Sequence, residues 1–248
     1  MKMRKTALLS ILFVFVMASF LYADNLKILT EEMPPYNYSD ENNEAAGFST
    51  EIVKELLKRT GLKAAGGKIS VYPWARSYKM LQKDKNSMLF SMTRSEEREK
   101  LFKWVGPIAS RTIWLWKLKD RKNIKISTLE DAKKYKIGAV LGFASTKYME
   151  KLGFGLDLCN SEETNFRKLI VQRFDVLTAL ELAAAYHMNK QGKSFSRLEK
   201  LVKLDDRYDY YIALNINTSD EIVNRLQNAL DNMKKDGTYE KIKQVYLK

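Results

Sequence analysis

The chain has 248 residues, of which 45% are hydrophobic, and its 43 lysines and arginines outnumber its 30 acidic residues to give a formal net charge of +13. Its single cysteine, Cys159, excludes an internal disulfide, and no Cys/His cluster, Gly-rich phosphate loop or hydroxyl-His-acid set supports a metal, nucleotide or nucleophilic site. The lysines are scattered along the chain instead of clustered, which favours a solvated lysine-rich exterior over a nucleic-acid surface.

Residues 1–23, MKMRKTALLSILFVFVMASFLYA, place three basic residues ahead of an apolar run. This arrangement predicts a secretory signal peptide that is cleaved on export. Leu21 is larger than the residue usual at that point of a cleavage site, so an uncleaved anchor stays as the alternative. Cleavage removes three cations and no anion, which lowers the formal charge from +13 to +10. The remainder is long enough for one large α/β unit or two lobes of roughly 100 residues.

The first half of the remaining chain alternates between strand and helix patterns. The predicted strands are LKILTE, KISVY and SMLFSM, at residues 26–31, 68–72 and 87–92. The predicted helices are 74–82 and FSTEIVKELLKRTG at 48–61, where apolar residues recur at helical spacing before a stopping glycine. This alternation predicts a parallel α/β sheet.

The same alternation recurs in the second half, with strands at 135–142 and 174–179 and helices at 144–153 and 181–192. Two extended aromatic segments lie outside these runs, RTIWLWK at 111–117 and YDYYIALN at 208–215. We therefore predict two lobes joined by two crossings near these segments. The first lobe comprises residues 24–112 and 214–248, and the second comprises 113–213.

The stretch FSMTRSEERE places two hydroxyl residues, Ser91 and Thr93, at the end of a predicted strand and Arg98 in the first turn of the helix that follows. Hydroxyls, free helix-terminal amides and a guanidinium together are suited to bind a carboxylate. The alternative is an ordinary capped surface helix in which Arg98 pairs with a glutamate.

Five segments in this order resemble the periplasmic solute-binding proteins of bacterial ABC uptake systems, in the polar amino-acid branch known as family 3. They are PPYNY, GFSTEIVKELLKRTG, YPWARSYKML, LFSMTRSEEREKLFKWVGPI and DGTYEKI. The resemblance implies a two-lobed periplasmic binding protein fold of type II, which closes on a small ligand like a flytrap. It further implies a periplasmic location, an ABC permease in the inner membrane as partner, no cofactor, no nucleic acid and no enzymatic activity.

The resemblance also implies roles for individual residues. Arg98 is expected to bind the carboxylate of an amino acid or related ligand, helped by Ser91 and Thr93. Trp74 is either an apolar wall of the pocket or a core tryptophan under a strand-to-helix turn. Tyr36 lies on the loop that rims the cleft in relatives, where it either covers the ligand or has no binding role.

In the second lobe, Ser145 of GFASTKY stands where relatives offer amides and hydroxyls to the ligand, with helix capping as the alternative. Phe143 replaces a polar contact residue, which suggests an apolar portion of the ligand. Leu180 occupies the strand end where relatives present an aspartate to the ligand's ammonium group. Either Glu181 beside it takes over the cation, or the ligand is not a standard α-amino acid; alternatively, Glu181 only stabilises the start of a helix.

Two other functions remain open on the same scaffold. Some relatives of this fold resemble dehydratases of cyclic dienyl acids, which need an acid aimed at a leaving hydroxyl, and Glu181 is the candidate acid. A signalling input that senses a ligand for a partner kinase is the other. His187, the only histidine, is predicted to serve packing or lie at the surface.

Overall fold

The computed structural model describes residues 25–141 and 143–247. The predicted signal peptide at 1–23 lies outside the described residues. Within those ranges no helix is both long and apolar enough to cross a lipid bilayer.

The described chain alternates between strands and helices, as the patterns predict. The strands are β1 (Asn25–Thr30), β2 (Tyr38–Ser39), β3 (Ala45–Ala46), β4 (Lys63–Ala64), β5 (Ser70–Val71), β6 (Ser87–Thr93), β7 (Phe102–Ser110), β8 (Ile113–Leu118), β9 (Ile137–Val140), β10 (Leu156–Cys159), β11 (Val176–Leu180), β12 (Leu198–Asp205) and β13 (Asp209–Asn215). The α-helices are α1 (Phe48–Thr60), α2 (Trp74–Lys83), α3 (Glu96–Glu99), α4 (Leu129–Ala132), α5 (Ala144–Lys151), α6 (Glu162–Ile170), α7 (Glu181–Lys190), α8 (Asp220–Lys235) and α9 (Thr238–Tyr246).

The first lobe is built on a six-stranded sheet in the order β4-β1-β6-β13-β7, with β5 also paired to β1. Strands β1 and β6 are parallel, whereas β13 runs antiparallel to both β6 and β7. Met88 and Phe90 pack on the face covered by α1 and α8, and Leu89 packs on the face covered by α2. Helices therefore cover both faces, which explains why β6 reads as a continuous apolar run.

The second lobe is built on a five-stranded sheet in the order β10-β9-β11-β8-β12. Strands β9, β10 and β11 are parallel, and β8 is antiparallel to its two neighbours. Helix α6 begins where the Ser161 hydroxyl accepts a hydrogen bond from the Thr164 amide, a standard N-cap that fixes the direction of its first turn. This cap positions Glu162, the first residue of the helix.

The two crossings between the lobes are short and lie side by side. Ser110, the last residue of β7, pairs with Asp209, the first of β13, while Ile113 of β8 pairs with Asp205 of β12. The crossings are therefore residues 111–112 and 206–208. The second crossing differs from the predicted 208–215, because all of β13 pairs within the first sheet, and the lobe boundary predicted at 213/214 is corrected accordingly. An extended pattern alone does not reveal which sheet a strand joins.

The glycine in the centre of β9 provides a test of packing in the second lobe. A Cβ on Gly138 would lie 2.2 Å from the Phe174 ring and 2.5 Å from the Asn165 side-chain oxygen. We expect Gly138→Ala to lower the free energy of unfolding by about 1–3 kcal/mol, the usual cost of overpacking a core, as measured by urea denaturation. Gly155→Ala is the control, because a Cβ there meets nothing within 4 Å. Equal stability of the two variants would contradict the packing around Gly138.

Candidate functional site

The end of β6 is shaped by a bulge at Ser91. Its φ is 60°, in the left-handed region, and the pairing with β13 shifts register between Met92 and Phe90. This extra residue reverses the alternation of side chains, so that Met92 packs in the same cluster as Leu89. The Ser91 hydroxyl is buried without a hydrogen-bond partner among the described residues, and such a group usually has a functional or solvent partner.

Arg98 lies over this strand end. Its Nη1 donates to the Thr93 hydroxyl at 3.1 Å and to the Thr93 carbonyl at 3.3 Å. The guanidinium carbon lies 5.2 Å from the Trp74 ring centre and 5.6 Å from that of Tyr78. The other guanidinium nitrogens form no hydrogen bond or ion pair with any described residue. The structure thus brings Arg98, Thr93 and Trp74 together and leaves most of the planar donor set of Arg98 available.

Glu31 adds to this group a carboxylate that was not predicted from the sequence. It follows β1 directly, and β1 is the parallel neighbour of β6, so its backbone lies at the same sheet edge as Thr93. Burial raises the pKa of Glu31, and the charge of Arg98 partly opposes that effect. No ion pair joins the two among the described residues, so a cation and an anion lie near each other without neutralising each other directly.

A cavity of about 280 Å³ lies between the lobes. Apolar side chains form much of its wall, and polar groups from both lobes reach it. Its lining residues are Met33, Pro34, Tyr36, Arg111, Ile113, Phe143, Ser145, Glu162, Thr178, Ala179, Leu180, Ala183 and Tyr210. A concave, mostly apolar site with a few convergent polar groups is typical of a small-molecule pocket.

Tyr210 connects the cavity to the Arg98 group, because it lines the cavity and pairs with Thr93 across β13 and β6. Burial raises the pKa of Tyr210, and the adjacent Arg111 charge opposes that rise. Arg111 comes from the first crossing, and its guanidinium lies 3.7 Å from Asp205. Arg98 itself is not part of the cavity wall, so the site has two guanidinium groups, one beside the cavity and one in its lining.

The remaining predicted residues differ in whether they line this cavity. Tyr36 is buried against Tyr210, with ring centres 5.3 Å apart, and both line the cavity. Ser145 also lines it, and no described residue forms a hydrogen bond with its hydroxyl. Leu180, the last residue of β11, also lines the cavity. Glu181 does not line it, and its carboxylate pairs with Lys200 at 2.5 Å.

Glu181 and Lys200 line a different cavity of about 200 Å³, so the structure does not bring Glu181 to the cavity that contains Leu180. The carboxylate found in that first cavity is Glu162, at the start of α6. Its neighbour is His187, whose Nε2 lies 3.4 Å from Glu162 Oε2. Among the described residues no cluster of three or more His, Cys, Asp or Glu could hold a metal ion.

Three residues of the site were not predicted, for different reasons. Glu31 had a usable signal, since a carboxylate directly after a buried strand lies at the same edge as the end of the next parallel strand. Arg111 and Glu162 had none, because the crossing that carries Arg111 and the helix that carries Glu162 approach the cavity only through the packing of the two lobes.

A comparison with family models places residues 26–248 in the group described as bacterial extracellular solute-binding proteins, family 3. The chain belongs to this family. The match spans nearly all of the described chain, and it confirms the resemblance drawn from the five sequence segments. The comparison with curated protein sequences gave no significant match.

Solved structures of the family share the two-lobed architecture. The second substrate-binding domain of Lactococcus lactis GlnP, in an open conformation, superimposes with a TM-score of 0.76 at 19% identity, over 91% of this chain and 96% of that one. An ancestral arginine-binding protein bound to arginine gives 0.61 at 25% identity, over 91% and 99%. AncCDT-1, an ancestral amino-acid-binding protein and precursor of cyclohexadienyl dehydratase, gives 0.63 at 22%, over 91% and 96%. The two-lobed binding-protein fold is thereby confirmed.

The raised pKa of Glu31 makes a prediction about stability. Because burial favours the protonated form in the folded state, the ionised carboxylate costs stability at neutral pH, and that cost disappears as the pH falls towards the ordinary value of 4.5. We expect Glu31→Gln to unfold at a higher temperature than the wild type at pH 7, with the difference shrinking towards pH 4. The exposed neighbour Glu32→Gln should not show this pH-dependent gain. A Glu31→Gln variant less stable than the wild type at pH 7 would contradict the prediction.

Proposed function

We propose that this chain is a periplasmic receptor that captures an amino acid or a related carboxylate between its lobes and delivers it to an ABC permease. The observation that carries the proposal is the unpaired guanidinium of Arg98 beside the Thr93 hydroxyl, at a strand end that also holds the unpartnered Ser91 hydroxyl. A carboxylate supplies the acceptor oxygens that these donors lack, and a planar guanidinium binds it through two parallel hydrogen bonds.

The lining of the cavity supports a small ligand with polar and apolar portions. Tyr36, Phe143 and Leu180 offer apolar surface, whereas Ser145 at the start of α5 offers a hydroxyl near free helix-terminal amides. Trp74 lies beside Arg98 instead of in the cavity wall, so its contribution would be to shield the guanidinium from water. A volume of about 280 Å³ suits a molecule with on the order of ten heavy atoms, at the small end of ordinary ligand sites.

Delivery requires a conformational signal that a permease can recognise. A ligand that contacts both lobes binds the closed form better than the open form and therefore shifts the population to the closed form. Export to the periplasm is supported by the predicted signal peptide at 1–23 and by membership of an extracellular family. A reaction is not needed for this role, so turnover of cyclic dienyl acids serves as the opposing outcome in the tests.

The function is tested first on the chain expressed without residues 1–23. Mass spectrometry of small molecules released on denaturation is expected to find an amino acid or a related carboxylate. In a thermal-shift screen of the twenty L-amino acids, a binder at one hundred times its Kd should stabilise the protein by about 2.7 kcal/mol, or roughly 5–10 °C. No shift with any of the twenty together with no carboxylate released on denaturation, or turnover of a dienyl acid, would overturn the proposal.

The role of Arg98 is tested by substitution. Arg98→Ala should weaken binding of a ligand found in the screen at least tenfold, because a charged hydrogen bond contributes about 1.5–3 kcal/mol and 1.4 kcal/mol is about a factor of ten. Arg98→Lys should rescue poorly, since lysine lacks the two-donor fork. The control is Arg94→Ala, because Arg94 is exposed and already paired with Glu99. Unchanged calorimetric affinity in folded Arg98→Ala would exclude Arg98 as the anchor.

Closure is tested in solution. Within the described residues the chain crosses between the lobes only at 111–112 and 206–208, so small backbone rotations there can move one lobe as a body. We expect small-angle X-ray scattering to show a smaller radius of gyration with a saturating amino acid from the screen than without it. Identical scattering profiles in both states would count against closure around these crossings.

A further inference from the structure

The cavity between the lobes contains one carboxylate from the second lobe. Glu162 is the first residue of α6 and lies in the cavity lining together with Ser145 and Leu180. Its side chain is 26% exposed, so it remains accessible to a ligand. Among the described residues its only ion-pair contact is with His187 Nε2, at 3.4 Å. No lysine or arginine among the described residues forms an ion pair with the Glu162 carboxylate.

The charge of Glu162 reaches across the cleft to the first lobe. Glu162, Tyr36 and Tyr210 line the same cavity. The carboxylate therefore lies on the cleft side of α6, facing the lobe that carries Arg98. Burial is the main cause that raises the pKa of both tyrosines; the Glu162 carboxylate contributes to both, and the Glu181 carboxylate contributes to that of Tyr36.

The alternative acid, Glu181, is already occupied. Its carboxylate pairs with Lys200 at 2.5 Å, and the pair lines a separate cavity with Trp114 and Lys243. Turning Glu181 towards a ligand would require breaking that ion pair, whereas Glu162 needs no such exchange. The cavity wall next to Leu180 thus has an available anion that comes from a different helix.

His187 is placed to hold Glu162 in this orientation. The imidazole is 9% exposed and stacks on Phe166 of α6, with ring centres 5.2 Å apart and planes 18° apart. Nδ1 is buried and has no hydrogen-bond partner among the described residues, so the polar contact of the ring is made through Nε2. Glu163, the neighbour of Glu162 in α6, pairs instead with Lys190 at 2.9 Å.

Resting on the function proposed above, we propose that Glu162, oriented by His187, is the anion of the second lobe that receives the cationic group of the ligand. Glu162 is the binding residue, and His187 is a positioning residue that acts through it. The ligand class is thereby narrowed to molecules that carry both a carboxylate and an ammonium or guanidinium group. The strand-end position of Leu180 then forms part of the apolar wall instead of binding the cation.

The test compares paired probes in calorimetric titrations at pH 8 and fixed salt. L-Glutamine is paired with glutaramic acid, and L-lysine with hexanoic acid, because the second member of each pair lacks every ammonium group. Any further amino acid that binds in the thermal-shift screen is paired in the same way with its des-amino acid. Glu162→Gln should weaken binding of the amino acid at least tenfold and leave the des-amino acid unchanged or tighter. Glu181→Gln is the matched control and should change both by less than threefold.

The positioning role of His187 is tested by conservative rescue in the same titrations at pH 8. His187→Phe keeps a flat ring that can stack on Phe166 but removes the nitrogen that contacts Glu162, so it should weaken binding of the amino acid several-fold and leave the des-amino acid unchanged. His187→Gln restores a polar donor and should bind the amino acid within about threefold of the wild type.

The outcomes separate the inference from the function on which it rests. If neither an amino acid nor any other carboxylate binds the wild type, the proposed function fails, and this inference fails with it. If only carboxylates without an ammonium group bind, the inference is overturned while the function stands. If an amino acid binds and folded Glu162→Gln matches the wild type, or if Glu31→Gln alone reproduces the loss, the inference is overturned while the function stands. If Glu162→Gln fails to fold, Glu162→Ala is judged by the same criterion. Equal affinity of the wild type and folded His187→Phe for the amino acid would remove the positioning role.

Discussion

The return of the chain into the first sheet as β13 is the constraint on which the rest of the structure depends. This strand pairs antiparallel with both β6 and β7. The pairing places the end of the second crossing beside the start of the first. Its pairing with β6 accommodates the bulge at Ser91, and its second residue, Tyr210, lies opposite Thr93. One strand therefore sets the sheet edge where Arg98 lies, one side of the cavity and the position of the crossings.

The crossings are also tied electrostatically. Asp205 accepts hydrogen bonds from Arg207 at 2.7 and 3.1 Å and lies 3.7 Å from Arg111 of the other crossing. The Arg111 amide in turn donates to Asp209 at 3.2 Å. Hydrogen bonding from Arg207 holds the pKa of Asp205 below its usual range, so the carboxylate stays ionised at neutral pH. The crossing segments are short, but their charges are paired, which limits the directions in which they can move.

The sequence predicted the elements and the family well, because strand and helix periodicities are local and the five segments are specific. It also predicted that Thr93 and Arg98 lie together at one strand end, since they are close in sequence, and the structure adds Trp74 to this group. The sequence did not predict features that depend on packing between residues far apart in the chain. The second crossing was misplaced because β13 joins a sheet whose other strands lie far earlier in the chain, and Glu162 was missed because only the docking of α6 brings it to the cavity. The left-handed backbone conformation of Ser91 leaves no signal in the amino-acid composition. The pairing of Glu181 with Lys200 depends on β12, a strand that follows the helix of Glu181.

If Arg98 and Glu162 bind the ligand as proposed, their charges would couple ligand binding to closure. In an open cleft water solvates Arg98 and Glu162 separately, whereas closure removes much of that water, and an unpaired buried charge costs several kcal/mol. Without a ligand the closed form carries that cost, which is large beside the roughly 8 kcal/mol of a micromolar complex. A zwitterion supplies both countercharges at once and offsets the cost only when both lobes contact it. A molecule with the carboxylate alone would leave Glu162 unpaired and would favour the closed form less. Under this proposal the second lobe would distinguish ligands by whether they carry a cation, and the fraction of closed molecules would be higher with a zwitterion than with a simple carboxylate.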